Sequence, residues 1–356
     1  MTSEYVDIVV VGLGPAGASA ATQAARRGCE VVAIDRKREP GRPVQCAEFV
    51  PAMISVEMDD LGASVRQPID AMVTFVEDDA PDIKEGFPGY MLDRVAFDCA
   101  LVSAAERAGT RCAPGASVRS LSPDGRVELA DGRTIIAKVL VGADGPRSIV
   151  GRAIGQSNRQ FVETRQITVP LRRSHQATDI FLSADMPGGY GWLFPKGDVA
   201  NLGAGVDPAH KARLKNIVAA LHASLVENDR VGAQILEMTG GPIPVGGMLQ
   251  PWGMLGGTLV LLAGDAAGLA NPVTGAGIAA AVHSGKLAGE AAAGYVSGIR
   301  TAGPEYEEEI ESVFKAALER ALRRRAELAA IVDTGALPGK AALRRGWIAY
   351  PQYWAA

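Results

Sequence analysis

The sequence predicts an α/β protein, α+β overall, in which a parallel-sheet domain is interrupted by an inserted β-sheet domain and followed by a C-terminal helical segment. Three observations predict this organisation: a buried strand, glycine turn, helix and second strand between residues 7 and 35; a run of β-type segments between residues 161 and 247; and a charge-graded helix after residue 303. A chain of 356 residues is long enough for two domains, or for one core with an insertion.

Composition narrows the class of protein. A hydrophobic content of 47% with 21% charged residues is ordinary for a soluble globular protein. The net charge of -4 offers no general attraction to nucleic acid, whose binding depends on clustered Lys and Arg. The start, "MTSEYVDIVVVG", has no basic stretch before its first strand, so we expect no signal peptide. We expect a cytoplasmic protein without a nucleic-acid partner, with peripheral membrane contact as an addition to be tested.

Neither a membrane span nor a metal site is expected. The longest apolar region, residues 256–285, is interrupted by Asp265, Asn271 and Pro272 before one helix could cross a bilayer core of about 30 Å. The four cysteines form no CxxC pair, and the four histidines are far apart in sequence.

The first unit is "DIVVVGLGPAGASAATQAARRGCEVVAID", residues 7–35, which reads as strand, glycine turn, helix and strand. Gly12 permits the turn, Gly14 lets backbone approach a pyrophosphate, and Gly17 lets the helix pack on the strand. Asp35 lies about twenty residues further on, where an acid binds a ribose hydroxyl. A GxGxxG alone is weak evidence, but in this setting it predicts a Rossmann-like dinucleotide-binding domain whose helix N-terminus faces the phosphates.

The middle of the chain changes pattern. Short strands separated by turns between residues 112 and 141 predict a β-meander that returns to the parallel sheet. From residue 161 to 247 strands dominate, with a hairpin across Lys196 to Asp198 and one amphipathic helix near residues 213–228. We therefore assign residues 1–65, 91–160 and 255–303 to the dinucleotide domain, 66–90 and 161–254 to a substrate-binding β-sheet domain, and 304–356 to a C-terminal helical segment.

The last long helix is predicted to begin at Pro304, a favoured first helical position. Its early residues are rich in Glu and its late residues, 320–325, are rich in Arg, which suits the helix dipole. The arginine cluster favours a solvated helix end, with contact to anionic lipid as the alternative.

Three glycine-acid segments lie far apart: "GLGPAG" with Asp35, "GADGPRSIVGR" and "AGDAAGLANPVTGAG". Only the first is a dinucleotide fingerprint, which favours one tightly held dinucleotide over two. In this order the segments resemble the flavoprotein superfamily typified by para-hydroxybenzoate hydroxylase, which binds FAD in extended form. With "PVQCAE", "LDRVAFD" and "YGWLFPKG", they resemble its geranylgeranyl reductase branch. The resemblance runs from Asp7 to about residue 300, and the ending "GWIAYPQYWAA" matches no family motif.

The resemblance implies an FAD site. Asp265 would bond the ribityl chain, and a helix starting at "TGAGI" would aim its N–H groups at the flavin, stabilising the anion formed on reduction. Asp144 would lie near the pyrophosphate and Arg94 would add a cationic contact, unless they are a turn residue and a surface pair. The candidate cofactor contacts are Gly12, Gly14, Pro15, Ala16, Gly17, Asp35, Arg36, Cys46, Ala47, Arg94, Asp144, Gly145, Gly264, Asp265, Pro272, Gly275, Ala276, Gly277 and Ile278.

The segment "YGWLFPKG" would form part of the substrate cavity in the same resemblance. Alternation along a strand places Tyr190, Trp192 and Phe194 on one face, and Pro195 completes the candidate set. Ordinary sheet packing is the alternative. The segment as a whole favours a cavity, because ligand pockets are mostly apolar with few polar groups.

In "PVQCAEFVP" the spacing of Pro43, Cys46 and Glu48 is similar to a family loop in which the cysteine lies beside the flavin. The family's usual glycine after the Glu is replaced here by Phe49. The candidate catalytic residues are Cys46 as a proton donor, with Glu48 or Tyr190 as its orienting partner. A lone cysteine is most often a buried packing residue, which is the competing interpretation.

The function that the resemblance implies is reduction of C=C bonds of a prenyl chain, on a lipid, quinone or diphosphate, by hydride transfer from reduced flavin N5. An FAD-dependent monooxygenase, halogenase or hydroxylase of the same superfamily is the first alternative; the halogenase signature W-x-W-x-I-P is absent. A non-catalytic FAD-binding electron carrier is the second. The sequence leaves open the electron donor, NAD(P)H or ferredoxin, and the oligomeric state.

Overall fold

The computed structural model describes residues 3–58 and 61–355. Within these ranges the strands are, in chain order, β1 (Ser3–Val11), β2 (Val31–Asp35), β3 (Phe49–Pro51), β4 (Val65–Val76), β5 (Asp82–Leu92), β6 (Arg111–Pro114), β7 (Val118–Leu121), β8 (Arg126–Leu129), β9 (Thr134–Gly142), β10 (Phe161–Pro170), β11 (Ala177–Leu182), β12 (Gly191–Lys196), β13 (Val199–Val206), β14 (Glu237–Thr239), β15 (Pro242–Pro244), β16 (Trp252–Leu255) and β17 (Thr258–Leu262). The α-helices are α1 (Pro15–Arg26), α2 (Ile54–Glu57), α3 (Arg94–Arg107), α4 (Ile149–Ala153), α5 (Leu214–Glu227), α6 (Ile278–Val296), α7 (Ala302–Asp333), α8 (Lys340–Arg345) and α9 (Pro351–Trp354).

The first sheet has the order β16-β17-β9-β1-β2-β6, with β8 and β7 attached to β9. Its central strands β17, β9, β1, β2 and β6 are parallel, and β7, β8 and β9 form the predicted antiparallel meander. The central residues of β1, Ile8, Val9 and Val10, are fully buried. They read as one continuous apolar run because helices cover both faces of a parallel sheet.

Helix α6 packs closely on α1 and so joins the last third of the chain to the glycine turn. A methyl group at Gly285 would lie 2.2 Å from the carbonyl oxygen of Ala16, and one at Gly289 would lie 2.4 Å from that of Ala20. Only glycine permits this approach of two helix backbones. The loop before α6 is thereby held beside the start of α1.

The second sheet has the order β14-β10-β13-β12-β11-β4-β5-β3, with β15 attached to β10. Strands β12 and β13 form the predicted hairpin, and α5 covers one face of the sheet, where its Val218 belongs to the same buried cluster as Leu193 and Leu202. Strand β3 pairs with β5 in this sheet, and β16 pairs with β17 in the first. The α/β architecture with a second sheet and C-terminal helices is as the sequence predicts.

Helix α7 begins at Ala302, two residues before the predicted start at Pro304. Its buried Tyr306 donates a hydrogen bond to the carbonyl of Leu262 at the end of β17. The solvated helix end predicted for the arginine cluster is wrong for Arg324 and Arg325, although Arg323 is exposed. Arg324 is 3% exposed and donates to the carbonyl of Tyr353 near the chain end, while Arg325 pairs with Asp207 in a loop of the second sheet.

Within residues 3–58 and 61–355, no helix combines the length and apolar character needed to span a bilayer.

Candidate active site

The glycine turn leaves an open space at the start of α1. Gly12 has φ +101°, and a methyl group there would lie 2.2 Å from the carbonyl oxygen of Ala143; at Gly17 it would lie 1.8 Å from that of Gly12. At Gly14, apart from its own chain neighbours, no atom of the described residues lies within 4 Å of the same position. Nor does any side chain of residues 3–58 and 61–355 cap the N-terminus of α1, where Pro15 is the first residue and Ala16 the second. Free space beside uncapped N–H groups suits a pyrophosphate.

Asp35 lies at the end of β2 in a cleft that also includes Gly14 and Asp98. Its two carboxylate oxygens accept the backbone N–H groups of Leu13, at 2.7 Å, and Lys37, at 2.8 Å. An ionised carboxylate has about four acceptor sites, so capacity is left for ribose hydroxyls. The next residue, Arg36, is exposed.

Asp144 follows β9 and directs its carboxylate to the start of α4. It accepts from the hydroxyl of Ser148 at 2.5 Å and from the backbone N–H of Ile149 at 2.7 Å. Its structural task is therefore to fix the "GADG" turn, whose Ala143 meets the glycine turn of β1. Gly145 has φ +82° and open space where a side chain would stand, as a close ligand approach requires.

The "GDAAG" segment supplies a carboxylate that accepts no hydrogen bond from the described residues. Gly264 has φ +60° and donates its N–H to Ser284 on α6, and Asp265 follows it. Burial raises the pKa of Asp265 to about 6, with the charge of Arg94 acting in the opposite direction. Asp265 is partly buried, and its unused acceptor sites fit the hydroxyl groups of a ribityl chain.

The flavin loop, residues 271–277, leads into α6. The side-chain oxygen of Asn271 accepts the N–H groups of Val273 and Thr274, both at 3.0 Å, and this fixes the turn. A methyl group at Gly277 would lie 3.3 Å from the carboxylate of Asp265. The α6 N-terminus at Ile278 has no side-chain cap. Of the other predicted contacts here, Pro272 is buried, Gly275 has φ +68° and Ala276 is exposed.

Arg94, at the start of α3, lies between the cysteine and an acid. Its guanidinium donates to both carboxylate oxygens of Asp98, and it interacts electrostatically with Cys46. Burial disfavours its charge, but Cys46 and Asp98 outweigh burial and raise the pKa of Arg94. A fixed positive charge is therefore near enough to Cys46 to interact with it.

The Cys46 loop, residues 42–48, ends in a strained backbone. Glu48 has φ +70°, which is uncommon for any residue with a side chain, and its N–H donates to the Sγ of Cys46 at 3.2 Å. Its carboxylate accepts from the backbone of Arg94, from Lys196 at 2.6 Å and from Asn201 at 2.8 Å. Glu48 thus orients Cys46 through its backbone, and its side chain ties the loop to the second sheet.

The predicted aromatic residues come together at the same place. The ring centroids of Tyr190 and Trp192 are 5.8 Å apart, and those of Trp192 and Phe194 are 6.5 Å apart. The hydroxyl of Tyr190 donates to the carbonyl of Thr274 in the flavin loop at 2.6 Å. Burial, together with the nearby Cys46, raises the pKa of Tyr190. By strand alternation Pro195 lies on the opposite face, the face of Leu193 under α5.

The C-terminal segment, which no family motif covers, completes this cluster. Trp347 is 2% exposed, its ring centroid lies 4.7 Å from that of Tyr190, and its N–H donates to the sulfur of Met72. Tyr350 joins the same buried cluster, and Phe49 packs on Phe194 with centroids 5.9 Å apart. The aromatic face is therefore covered by side chains from the chain end.

Sequence reasoning missed five residues here: Gln166, Lys196, Asn201, Trp347 and Tyr350. Gln166 and Asn201 are polar residues inside apolar strands, a signal that could have marked them. They are only 4% and 1% exposed. The two residues of the chain end carried no sequence signal, because their partners lie about 160 or more positions away.

Open space at the glycine turn, a carboxylate without a partner among the described residues and an uncapped helix N-terminus are the features expected of a protein that binds an extended flavin dinucleotide. The sequence matches the FAD binding domain family over residues 5–321, and the chain belongs to that family. It is an FAD-dependent oxidoreductase.

Known relatives and structures agree. The chain is 34% identical over 314 residues to digeranylgeranylglycerophospholipid reductase 2 of Methanosphaera stadtmanae, covering 81% of this chain and 77% of that protein. A geranylgeranyl bacteriochlorophyll reductase-like structure from Thermoplasma acidophilum superposes with a TM-score of 0.84 and 25% identity, over 99% of this chain and 98% of that one. PqsL of Pseudomonas aeruginosa, a probable FAD-dependent monooxygenase, has a TM-score of 0.73 at 16% identity over 96% and 98%, which shows a shared fold.

Proposed function

We propose that this protein reduces C=C bonds of a prenyl chain carried on a lipid, quinone or diphosphate. The observation that carries the proposal is the link made by Tyr190, whose ring belongs to the buried aromatic cluster and whose hydroxyl bonds the flavin loop. An apolar chain among these rings would lie beside the ring system of the flavin. The names of the relatives, reductases of geranylgeranyl lipids, support the same substrate class.

When bound, reduced FAD would supply a hydride for one alkene carbon, and with it both electrons of the reduction. Cys46 gives its proton to the other carbon, so that one C–H bond forms at each end of the former double bond. The resulting thiolate is stabilised by the guanidinium of Arg94 and the N–H of Glu48, and takes a proton from water. The buried rings exclude water and align the alkene, on which much of the rate depends, because isolated alkenes accept hydride poorly.

We assign the proton to Cys46 and positioning roles to Glu48 and Tyr190. The Tyr190 hydroxyl already donates its hydrogen bond to the backbone carbonyl of Thr274, and the carboxylate of Glu48 is already paired with Lys196. Neither group is therefore free to protonate a substrate.

The first test is anaerobic. The bound flavin is reduced chemically without oxygen, a geranylgeranyl lipid is added, and the flavin spectrum is followed. Reoxidation with addition of two hydrogens to a double bond, detected by mass spectrometry, supports the reductase. Turnover that begins only when oxygen enters, with an oxygenated product, would replace it by the monooxygenase. A flavin that never responds to lipid but passes electrons to a protein acceptor would indicate an electron carrier.

The second test is Cys46→Ala. FAD should stay bound while lipid-dependent reoxidation slows about 10²- to 10⁴-fold, the usual contribution of a positioned acid. Cys99→Ala is the matched control, since Cys99 is also a partly buried free thiol and lies on α3. An unchanged rate in Cys46→Ala would return this cysteine to a packing role.

We also propose that the protein contacts a membrane surface peripherally when its substrate is a lipid. Met53 and Val56, beside each other at helix α2, are 76% and 84% exposed and could insert among lipid headgroups. Sedimentation with phosphatidylcholine vesicles tests this. The Met53→Ser, Val56→Ser double variant should bind less than the native protein, and equal sedimentation would remove the contact.

A further inference from the structure

We propose that the hairpin β12–β13 is a clamp that fixes the Cys46 loop and the flavin loop relative to one another. This inference rests on the proposed function, because it assigns a task to the loops that carry the reaction. Four side chains of the hairpin, Tyr190, Trp192, Lys196 and Asn201, each donate a hydrogen bond to a loop residue or to Gln166, which holds a loop.

The first contact runs through Trp192. Its indole N–H donates to the side-chain oxygen of Gln166 at 3.1 Å, and the side-chain nitrogen of Gln166 donates to the backbone carbonyl of Cys46 at 3.0 Å. Because the indole of Trp192 can only donate, the side-chain oxygen of Gln166 must face it, which fixes the orientation of the Gln166 amide. A tryptophan of the aromatic cluster thus determines a bond to the cysteine itself.

The second contact comes from β13. The side-chain nitrogen of Asn201 donates to the carbonyl of Ala47 at 3.2 Å and to the carboxylate of Glu48 at 2.8 Å, while its oxygen accepts from Thr168. The Nζ of Lys196 donates to the same carboxylate of Glu48 at 2.6 Å. Three consecutive residues of the loop are therefore each bonded to the sheet.

The third contact reaches the other loop. The hydroxyl of Tyr190, at the start of the hairpin, donates to the carbonyl of Thr274. Tyr190 and Trp192 touch through their rings, so the anchors of the two loops are direct neighbours. A shift of the hairpin would move both loops together.

A glycine makes the arrangement fit. A methyl group at Gly203 would lie 2.3 Å from the indole ring of Trp192, so only glycine lets that ring lie against β13. The indole N–H then reaches Gln166, on the strand next to β13. Gly203 of "ANLGAG" is therefore needed to place Trp192 of "YGWLFP" in the clamp.

The cost of disturbing the clamp follows from burial. Removal of one partner leaves a buried polar atom unsatisfied, which costs about 1–3 kcal/mol, so the remaining groups should rearrange. A displacement of about 1 Å at reacting groups can lower a rate about 100-fold. Loss of the Trp192 N–H should therefore appear in the rate of reduction and in the exposure of Cys46.

The experiment uses Trp192→Phe, which keeps an aromatic ring and removes the N–H. Trp252→Phe is the matched control, because that indole also donates a partly buried bond, to Glu307, far from both loops. We expect Trp192→Phe to lower kcat about 10- to 100-fold with KM changed less than about threefold. In the resting protein it should speed alkylation of Cys46 by iodoacetamide at least about threefold, read by peptide mass spectrometry. Trp252→Phe should leave the alkylation rate unchanged.

Two results would overturn the clamp. A raised KM with unchanged kcat and an unchanged rate of alkylation would mean that the indole of Trp192 only contacts substrate. Native values in every measurement would mean that its N–H does not help to position the Cys46 loop. Gln166→Leu removes the same bond to Cys46 and replaces Trp192→Phe if that variant does not fold. Alkylation needs no substrate, so it tests the clamp even if the protein proved not to reduce prenyl chains.

Discussion

At the glycine turn the structure leaves open space beside free N–H donors. Around the aromatic cluster of Tyr190, Trp192 and Phe194, by contrast, side chains fill the space and polar groups are hydrogen-bonded. Gly14 has no neighbour where a side chain would stand, and Asp265 accepts no bond from the described residues. Trp192 and Phe194 are each 6% exposed, and the polar atoms of the hairpin are bonded to loops. The glycine turn is thus open in the folded protein, while the aromatic cluster is packed by the side chains of the protein itself.

The largest effect should come from the glycine turn, where two substitutions separate an effect on the stability of the fold from an effect on FAD binding. Gly12→Ala forces a left-handed φ on a side chain that also overlaps Ala143, which should cost about 2–6 kcal/mol of unfolding free energy. Gly14→Ala meets only open space, so the fold should persist while most FAD is lost. Thermal melts and flavin absorbance measure the two outcomes. Equal stability and equal flavin content in both variants would contradict the open cradle.

The next largest effect is expected where Trp347 packs on the aromatic cluster. Trp347→Ala should lower the free energy of unfolding by about 3–5 kcal/mol, because it leaves a large cavity beside Tyr190. Trp354→Ala, at a ring that is 52% exposed, should cost less than about 1 kcal/mol. Denaturant titration of the two variants decides. Similar losses in both would mean that the chain end does not seal the aromatic cluster.

Asp265→Ala should weaken FAD binding about 10- to 150-fold, corresponding to a bond to a charged group of about 1.5–3 kcal/mol. Asp265→Asn, which keeps the shape and one acceptor, should lose less. Titration of the apo protein with FAD gives both affinities. Wild-type affinity in Asp265→Ala would remove the carboxylate from the cofactor site.

The smallest effect is expected in the pH dependence of FAD affinity. Burial holds the pKa of Asp265 at about 6, above its ordinary 3.8, so its contribution to apo stability is present at low pH and is lost as pH rises through 6. FAD binding should have the opposite dependence, since hydroxyl donors favour the carboxylate. We expect affinity to rise about three- to tenfold between pH 5 and 7.5. In Asp265→Asn this rise should be absent.

The sequence predicted the dinucleotide end well because each glycine acts through its own backbone. The spacing of Gly12, Gly14 and Gly17 predicts where the backbone turns and where it must lie close to another backbone segment or to a ligand. The hairpin and the α5 helix were also predicted, since alternation and helical periodicity are local. The solvated end assigned to the late arginines was wrong for Arg324 and Arg325, because each has a partner outside its own helix.

By itself the sequence determined the parallel sheet, the phosphate turn, the FAD family and the side of β12 on which Tyr190, Trp192 and Phe194 stand. These follow from local conformational preference and strand period. Only the tertiary structure decided that Trp347 covers those rings and that Gln166 and Asn201 hold the Cys46 loop. Such contacts join residues more than a hundred positions apart, and their energy comes from burial and hydrogen bonding that exist only after the two sheets and the chain end have packed.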